Sequence, residues 1–270
     1  MTEKNSEYNA TVVGKIQMTP DLMVLRVDTD QPRETFEAGQ YTVLGLYGRE
    51  ERSENSMAEA VPVDEDKLIQ RPYSIASAKT QVKQLEFYIS QVKTGQLTPR
   101  LFNLELGDRL YVGERIVGVF KLADTPEGND IVMIATGTGV APYISFLRSY
   151  VVSRPDSRMA VIQGAAKQWD LGYYSELSFL DDGFENFYYI PTLTEADETW
   201  TGYELWIEEM LDQKILEKEV GIAVDPEKTH FFLCGNPKMV QNVSDWLADY
   251  DYQRHTRRNP GSLHVEEFWK

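Results

Sequence analysis

The feature that most constrains this 270-residue chain is a change of pattern near Gly118. Before it, apolar runs are short and broken by turn residues: Thr11–Ile16, Met23–Val27, Tyr41–Leu46, Tyr73–Ala76, Leu85–Gln91 and Arg109–Val112. Strands of that length and spacing predict an antiparallel barrel. After it, strand-like runs at Ile131–Ala135, Met159–Gln163, Phe187–Pro191 and His230–Cys234 alternate with helix-length segments, among them Ala141–Val152 and Pro237–Asp249. That alternation predicts a parallel sheet wound by helices, with ligands met at the carboxyl ends of the strands. An all-β antiparallel barrel over 1–120 followed by an α/β parallel-sheet domain over 121–270 is therefore expected, with the boundary near Val117–Thr125.

Composition narrows the function. Hydrophobic residues at 42% and charged residues at 26% describe an ordinary folded chain. The 27 Lys+Arg against 43 Asp+Glu leave a formal charge of −16, which argues against nucleic acid as a partner. A single cysteine, Cys234, can neither form an internal disulfide nor hold an iron–sulfur cluster or a structural zinc. No metal site is expected, so redox chemistry would need a bound organic cofactor. The start, Met1–Ala10, is polar, and no stretch has the length of a membrane span, so no membrane partner and a cytoplasmic location are expected. Gly48–Asp66 is polar and mostly acidic, which predicts an exposed, mobile loop over about 48–68.

Three blocks carry chemistry. In Arg71-Pro72-Tyr73-Ser74, an arginine can pair with a pyrophosphate and a tyrosine ring can stack on a flat heterocycle. In Thr94-Gly95-Gln96-Leu97-Thr98, Gly95 lets the backbone approach a phosphate that the amides of Gln96–Thr98 can satisfy. The second block, Ala135-Thr136-Gly137-Thr138-Gly139-Val140-Ala141-Pro142, places a glycine turn between a strand and a helix start, an anion site for a dinucleotide. The third runs from Phe231 through Cys234-Gly235-Asn236-Pro237 to Val240 and again joins strand to helix. As isolated matches, each also reads as an ordinary strand start, a tight βα turn or a packed cysteine.

In this order, together with Gly39-Gln40-Tyr41, Gly107-Asp108 and the tail Arg257-Arg258-Asn259-Pro260-Gly261 through Phe268-Trp269, the blocks resemble the ferredoxin/flavodoxin–NAD(P)H reductase family, in its short bacterial class. The resemblance implies an FAD-binding barrel, an NAD(P)-binding α/β domain, and electron transfer between NADH or NADPH and ferredoxin or flavodoxin. It assigns Arg71, Pro72, Tyr73, Ser74, Tyr88, Gly95, Gln96, Leu97, Thr98 and Thr136 to FAD. Phe268 would lie near the isoalloxazine and Trp269 near the adenine, with Lys270 one residue beyond the expected aromatic ending. The nicotinamide nucleotide falls to Gly137, Thr138, Gly139, Lys167, Thr194, Glu195, Tyr203, Cys234, Gly235 and Asn236. Ser74 and Cys234 are the side chains expected nearest hydride transfer.

The departures from the family pattern concern the nucleotide. Where arginines for a 2′-phosphate are usual, this chain has Lys167, Glu195 and Tyr203, and a carboxylate beside a phosphate is unfavourable while it suits a free ribose hydroxyl. Use of NADH is therefore expected. Arg254, Arg257 and Arg258, with Arg71, are the candidates for a basic face towards an acidic carrier. The same motifs also permit an NADH-dependent reductase serving an oxygenase, or a flavin-binding subunit of a larger electron-transfer complex.

Overall fold

The structure is a computed structural model that describes residues 7–267. The chain divides into two compact units, Met1–Gly118 and Val119–Lys270. Phe268 and Trp269 lie outside the described residues.

The first unit is a six-stranded antiparallel sheet: β1 (Ala10–Thr19), β2 (Leu22–Thr29), β3 (Tyr41–Tyr47), β4 (Leu68–Ser74), β5 (Gln84–Ser90) and β6 (Arg109–Val112), with α1 (Thr98–Asn103) before β6. The strand order is β4-β3-β6-β1-β2-β5, and a bridge from Ile75 to Phe87 brings the end of β4 to β5, curling the sheet towards closure. Alternating residues such as Met23, Leu25 and Val27, with Leu44, Leu46, Leu85 and Phe87, fill the interior. α1 contributes Leu101 and Phe102 to the same core. β4 begins at Leu68, five residues before the strand start read from the sequence at Tyr73. Pro72 is tolerated inside it because β4 ends the strand order and need not donate on its outer side.

The second unit is a five-stranded parallel sheet: β7 (Asp130–Thr136), β8 (Met159–Ala165), β9 (Phe187–Leu193), β10 (Thr229–Cys234) and β11 (Leu263–Glu266). Helices α2 (Ala141–Tyr150), α3 (Tyr174–Gly183), α4 (Ile207–Asp212), α5 (Ile215–Val220) and α6 (Pro237–Ala248) make the connections. β7 and β10 are buried almost throughout, as expected of parallel strands covered on both faces. The order β11-β10-β7-β8-β9 means the chain leaves β7 towards β8 and β9, then returns to β7's other side as β10. The switch point of the topology therefore lies between the carboxyl ends of β7 and β10, where open α/β sheets bind ligands. Among the described residues, no helix is long and apolar enough to cross a membrane.

Candidate functional site

In the α/β unit, the switch point is built by backbone contact. β7 ends at Thr136, and the 137–140 turn leads into α2; β10 ends at Cys234, and Gly235-Asn236 leads into α6. A Cβ at Gly139 would stand 2.2 Å from the Cys234 carbonyl oxygen. A Cβ at Gly235, which adopts φ +136°, would stand 2.4 Å from Thr136 Oγ1 and 2.6 Å from its carbonyl oxygen. Only glycine allows the two turns to interlock in this way. The Asn236 amide donates to Thr136 Oγ1 at 2.7 Å, tying the two strand ends together. Asn236 Oδ1 accepts from the Lys238 amide at 2.8 Å, so this side chain is the N-cap of α6.

Beside this point lies a cavity of about 680 Å³. Of the residues singled out in the sequence, Thr136, Gly137, Thr194 and Asn236 line it; Thr138, Gly139, Lys167, Glu195, Tyr203, Cys234 and Gly235 do not. Gly137 is exposed at φ +53°, with open space where a side chain would project. Lys238 and Met239 of the third block also line it; the sequence did not point to Leu205, Trp206 and Ile207, which with Met239 give the cavity an apolar wall, nor to Asp170, Glu208 and Glu209 among its charged groups. Glu208 accepts from Asn242 Nδ2 at 2.7 Å, and Glu209 accepts from the Trp206 amide at 2.8 Å. Exposed Trp206 two residues before an acidic helix turn was the available signal. An open glycine turn at a strand end and a half-apolar cavity fit a dinucleotide in volume and chemistry.

Lys167 and Glu195 are partners: Nζ and Oε2 are 3.7 Å apart, and the ammonium lies 5.3 Å from the centre of the Trp169 ring. The Tyr203 hydroxyl donates to Glu219 at 2.7 Å, and that carboxylate raises the phenol's pKa. Cys234 is fully buried, and burial, with Glu266 nearby, holds its thiol well above the usual range and hence protonated.

In the β unit, Arg71, Pro72, Tyr73 and Ser74 lie within β4, opposite Leu44, Val43, Thr42 and Tyr41. By strand alternation Arg71 and Tyr73 share one face, while Ser74 points to the other and is buried. Tyr73 packs its ring against the barrel core, and burial pushes its phenol up. Tyr88 is buried in β5 opposite Val24. Arg71 reaches the glycine turn: its Nη2 donates to Gln96 Oε1 at 3.2 Å. Leu97 precedes α1 without a side-chain cap, and Thr98 Oγ1 accepts from the Val92 amide at 2.9 Å. A Cβ at Gly95 would meet the Val92 carbonyl oxygen at 2.9 Å, so the tight turn needs glycine here too. A guanidinium joined to a turn with uncapped amides is a donor set suited to a pyrophosphate.

The 48–66 stretch is mostly exposed, and it is hydrogen-bonded to that turn. The Ser53 amide donates to Pro99, the Met57 amide to Lys93, and Gln96 Nε2 to the Val61 carbonyl. Arg52 and Arg100 reach across from the two sides and share Glu59. Of the arginines proposed for a carrier face, Arg254 pairs with Glu267 at 3.1 Å, while Arg257 and Arg258 are exposed.

Comparison with known proteins agrees with these features. Residues 133–245 match the family described as "Oxidoreductase NAD-binding domain". A flavodoxin/ferredoxin–NADP reductase of Buchnera aphidicola (subsp. Baizongia pistaciae) is 30% identical over 244 residues, covering 90% of this chain and 92% of that protein. The enzyme of that name from Escherichia coli K12 is 29% identical, covering 95% of this chain and 97% of its own length. A ferredoxin NADP+ reductase from Neisseria gonorrhoeae, solved with bound FAD and NADP, superposes with a TM-score of 0.82 at 25% identity, covering 98% of this chain and 100% of that one.

Proposed function

Because this chain belongs to the flavodoxin/ferredoxin–NADP reductase family, we propose that it is an FAD-dependent oxidoreductase passing electrons between a nicotinamide dinucleotide and a ferredoxin or flavodoxin. The observation that carries the reading is the interlocked switch point, where Gly139 and Gly235 bring the ends of β7 and β10 together beside a dinucleotide-sized cavity. Bound FAD supplies the chemistry, accepting a hydride from the nicotinamide and releasing electrons singly. The chain's residues bind and orient. Arg71 and the amides of Gln96–Thr98 hold the flavin pyrophosphate, and Tyr73 and Tyr88 bound its site. Gly137 admits the nicotinamide nucleotide's phosphates to the start of α2. Each within its own unit, Ser74 is the neutral hydroxyl offered to the flavin and Cys234 the neutral thiol offered to the nicotinamide, since burial keeps that thiol protonated.

Preference for the nucleotide follows from charge. Glu195 neutralises Lys167, the position where a 2′-phosphate would seek a cation, and Tyr203 is directed to Glu219. Adding a dianionic phosphate beside this pair gains little from Lys167 and is opposed by Glu195, whereas a ribose hydroxyl can donate to that carboxylate. NADH is therefore used at least as well as NADPH. Steady-state reduction of a ferredoxin or flavodoxin with NADH and NADPH in parallel tests both parts: turnover with neither rejects the enzyme, and a far lower KM for NADPH rejects the preference. The exposed Arg257 and Arg258 suit docking of an acidic carrier in a cytoplasmic enzyme, which a steep fall of the carrier reaction with salt would support.

A further inference from the structure

The Gly95–Thr98 turn is gripped by two arginines through its carbonyl groups. Arg52 Nη1 donates to the Gly95 carbonyl at 2.7 Å and Nη2 to the Lys93 carbonyl at 3.0 Å. Arg100 Nη1 donates to the Gln96 carbonyl at 2.6 Å, and Nη2 to the Gly48 carbonyl at 2.6 Å. Both guanidinium groups meet on one atom, Glu59 Oε1, which Arg52 Nη1 reaches at 3.0 Å and Arg100 Nη1 also contacts. The three side chains are largely removed from water, at 18%, 13% and 5% exposure for Arg52, Glu59 and Arg100.

The geometry has a directional consequence. In a planar trans peptide, the carbonyl of one residue and the N–H of the next point in opposite directions. Fixing the Gly95 and Gln96 carbonyls against the arginines therefore aims the Gln96 and Leu97 amides away from them. Among the described residues, neither amide donates to a protein group. Without Glu59, two cations would face each other across the turn in partly dry surroundings, and their repulsion would loosen the grip. Burial alone would raise the Glu59 carboxyl, but Arg100 and Arg52 outweigh it and hold the group below the usual carboxylate range, so it carries its charge at neutral pH.

We propose that Glu59 is a positioning residue for the flavin: bridging Arg52 and Arg100, it orients the Gln96 and Leu97 amides towards the FAD pyrophosphate. The acidic loop thus has a task in cofactor binding, exerted through the turn that it braces. The inference rests on the reading that this turn holds the pyrophosphate.

The test uses full-length protein carrying Glu59→Ala or Glu59→Gln, with FAD affinity of the apoprotein read by flavin fluorescence. Phosphorus NMR of the FAD-loaded protein and affinity for riboflavin, which has no phosphate, complete it. Glu59→Ala should weaken FAD about tenfold, the loss of one charge-assisted bond's worth of orientation, and move the pyrophosphate resonances while leaving riboflavin affinity in place. Glu59→Gln, which preserves shape and hydrogen bonding, should move the same readings in the same direction by less. FAD affinity within about twofold of wild type with unmoved resonances would overturn the proposal. So would a parallel loss of riboflavin affinity, which marks general loosening of the unit. Wild-type protein that binds no FAD at all would instead remove the underlying reading.

Discussion

The two glycine turns proposed to hold phosphate are themselves held by opposite means. At the switch point of the α/β unit, Gly139 and Gly235 press main chain against main chain, and a single donated bond from Asn236 to Thr136 completes the joint. In the β unit, Gly95–Thr98 is suspended from charged side chains, with Arg52 and Arg100 holding carbonyls and Glu59 holding the arginines. The first arrangement has no adjustable part, because carbonyl and amide groups cannot step aside for a methyl group. The second depends on charges supplied from up to 43 positions away in sequence, so it responds to substitution far from the turn.

The contrast orders the expected effects. Gly139→Ala should be the most damaging, since its Cβ would overlap the Cys234 carbonyl with nothing free to move. Circular dichroism and nucleotide binding should report loss of the native α/β unit, while survival of both would mean the interlock is not rigid. Arg100→Ala should cost the β unit about 2 kcal/mol in urea unfolding, because it removes one of the two cations on Glu59 and takes a charged donor from the Gly48 and Gln96 carbonyls. A loss below about 0.5 kcal/mol would show that the charged suspension is ornamental.

The α/β unit also contains the chain's three histidines, stacked at the β10–β11 edge: His264 lies parallel to Phe232 at 4.2 Å and against His255 at 4.5 Å, and His230 Nδ1 is 3.1 Å from His264 Nε2. Burial lowers His230 to about 4 and His264 to about 3. Between those values and the usual histidine pKa near 6.5, the unfolded chain binds protons that the folded one does not. This stabilisation is complete above about pH 6.5, shrinks as pH falls below that value, and is gone once pH has passed below the folded values. His264→Phe should flatten that dependence in urea titrations at several pH values. The smallest expected effect is on preference: Glu195→Arg should lower the KM for NADPH about tenfold, on the order of 1 kcal/mol, and raise that for NADH by a few-fold as the ribose hydroxyl loses its acceptor.

The same contrast explains what could be read from sequence. The backbone-made turn was visible because its requirement is a residue type at a position: glycines after a strand, then Pro142 or Pro237 opening a helix. The barrel and the parallel sheet followed from periodicity for a similar reason, although the start of β4 was hidden by Pro72, and four-residue β11 was too short to stand out. The Gly95–Thr98 turn was visible for the same reason, but its suspension was not. An arginine and a glutamate in a polar stretch such as 48–66 look alike whether solvated or paired, and only long-range folding brings Arg52 and Glu59 to Arg100. The cavity wall that Leu205, Trp206 and Ile207 form with Met239 was obscure for the same reason, being assembled from two connections after different strands.

The most direct test is anaerobic mixing of the FAD-loaded full chain with NADH, followed by the flavin absorbance. The account predicts rapid bleaching of the oxidised flavin band, and its return when an oxidised ferredoxin or flavodoxin is added. A band that stays oxidised with both NADH and NADPH would contradict it.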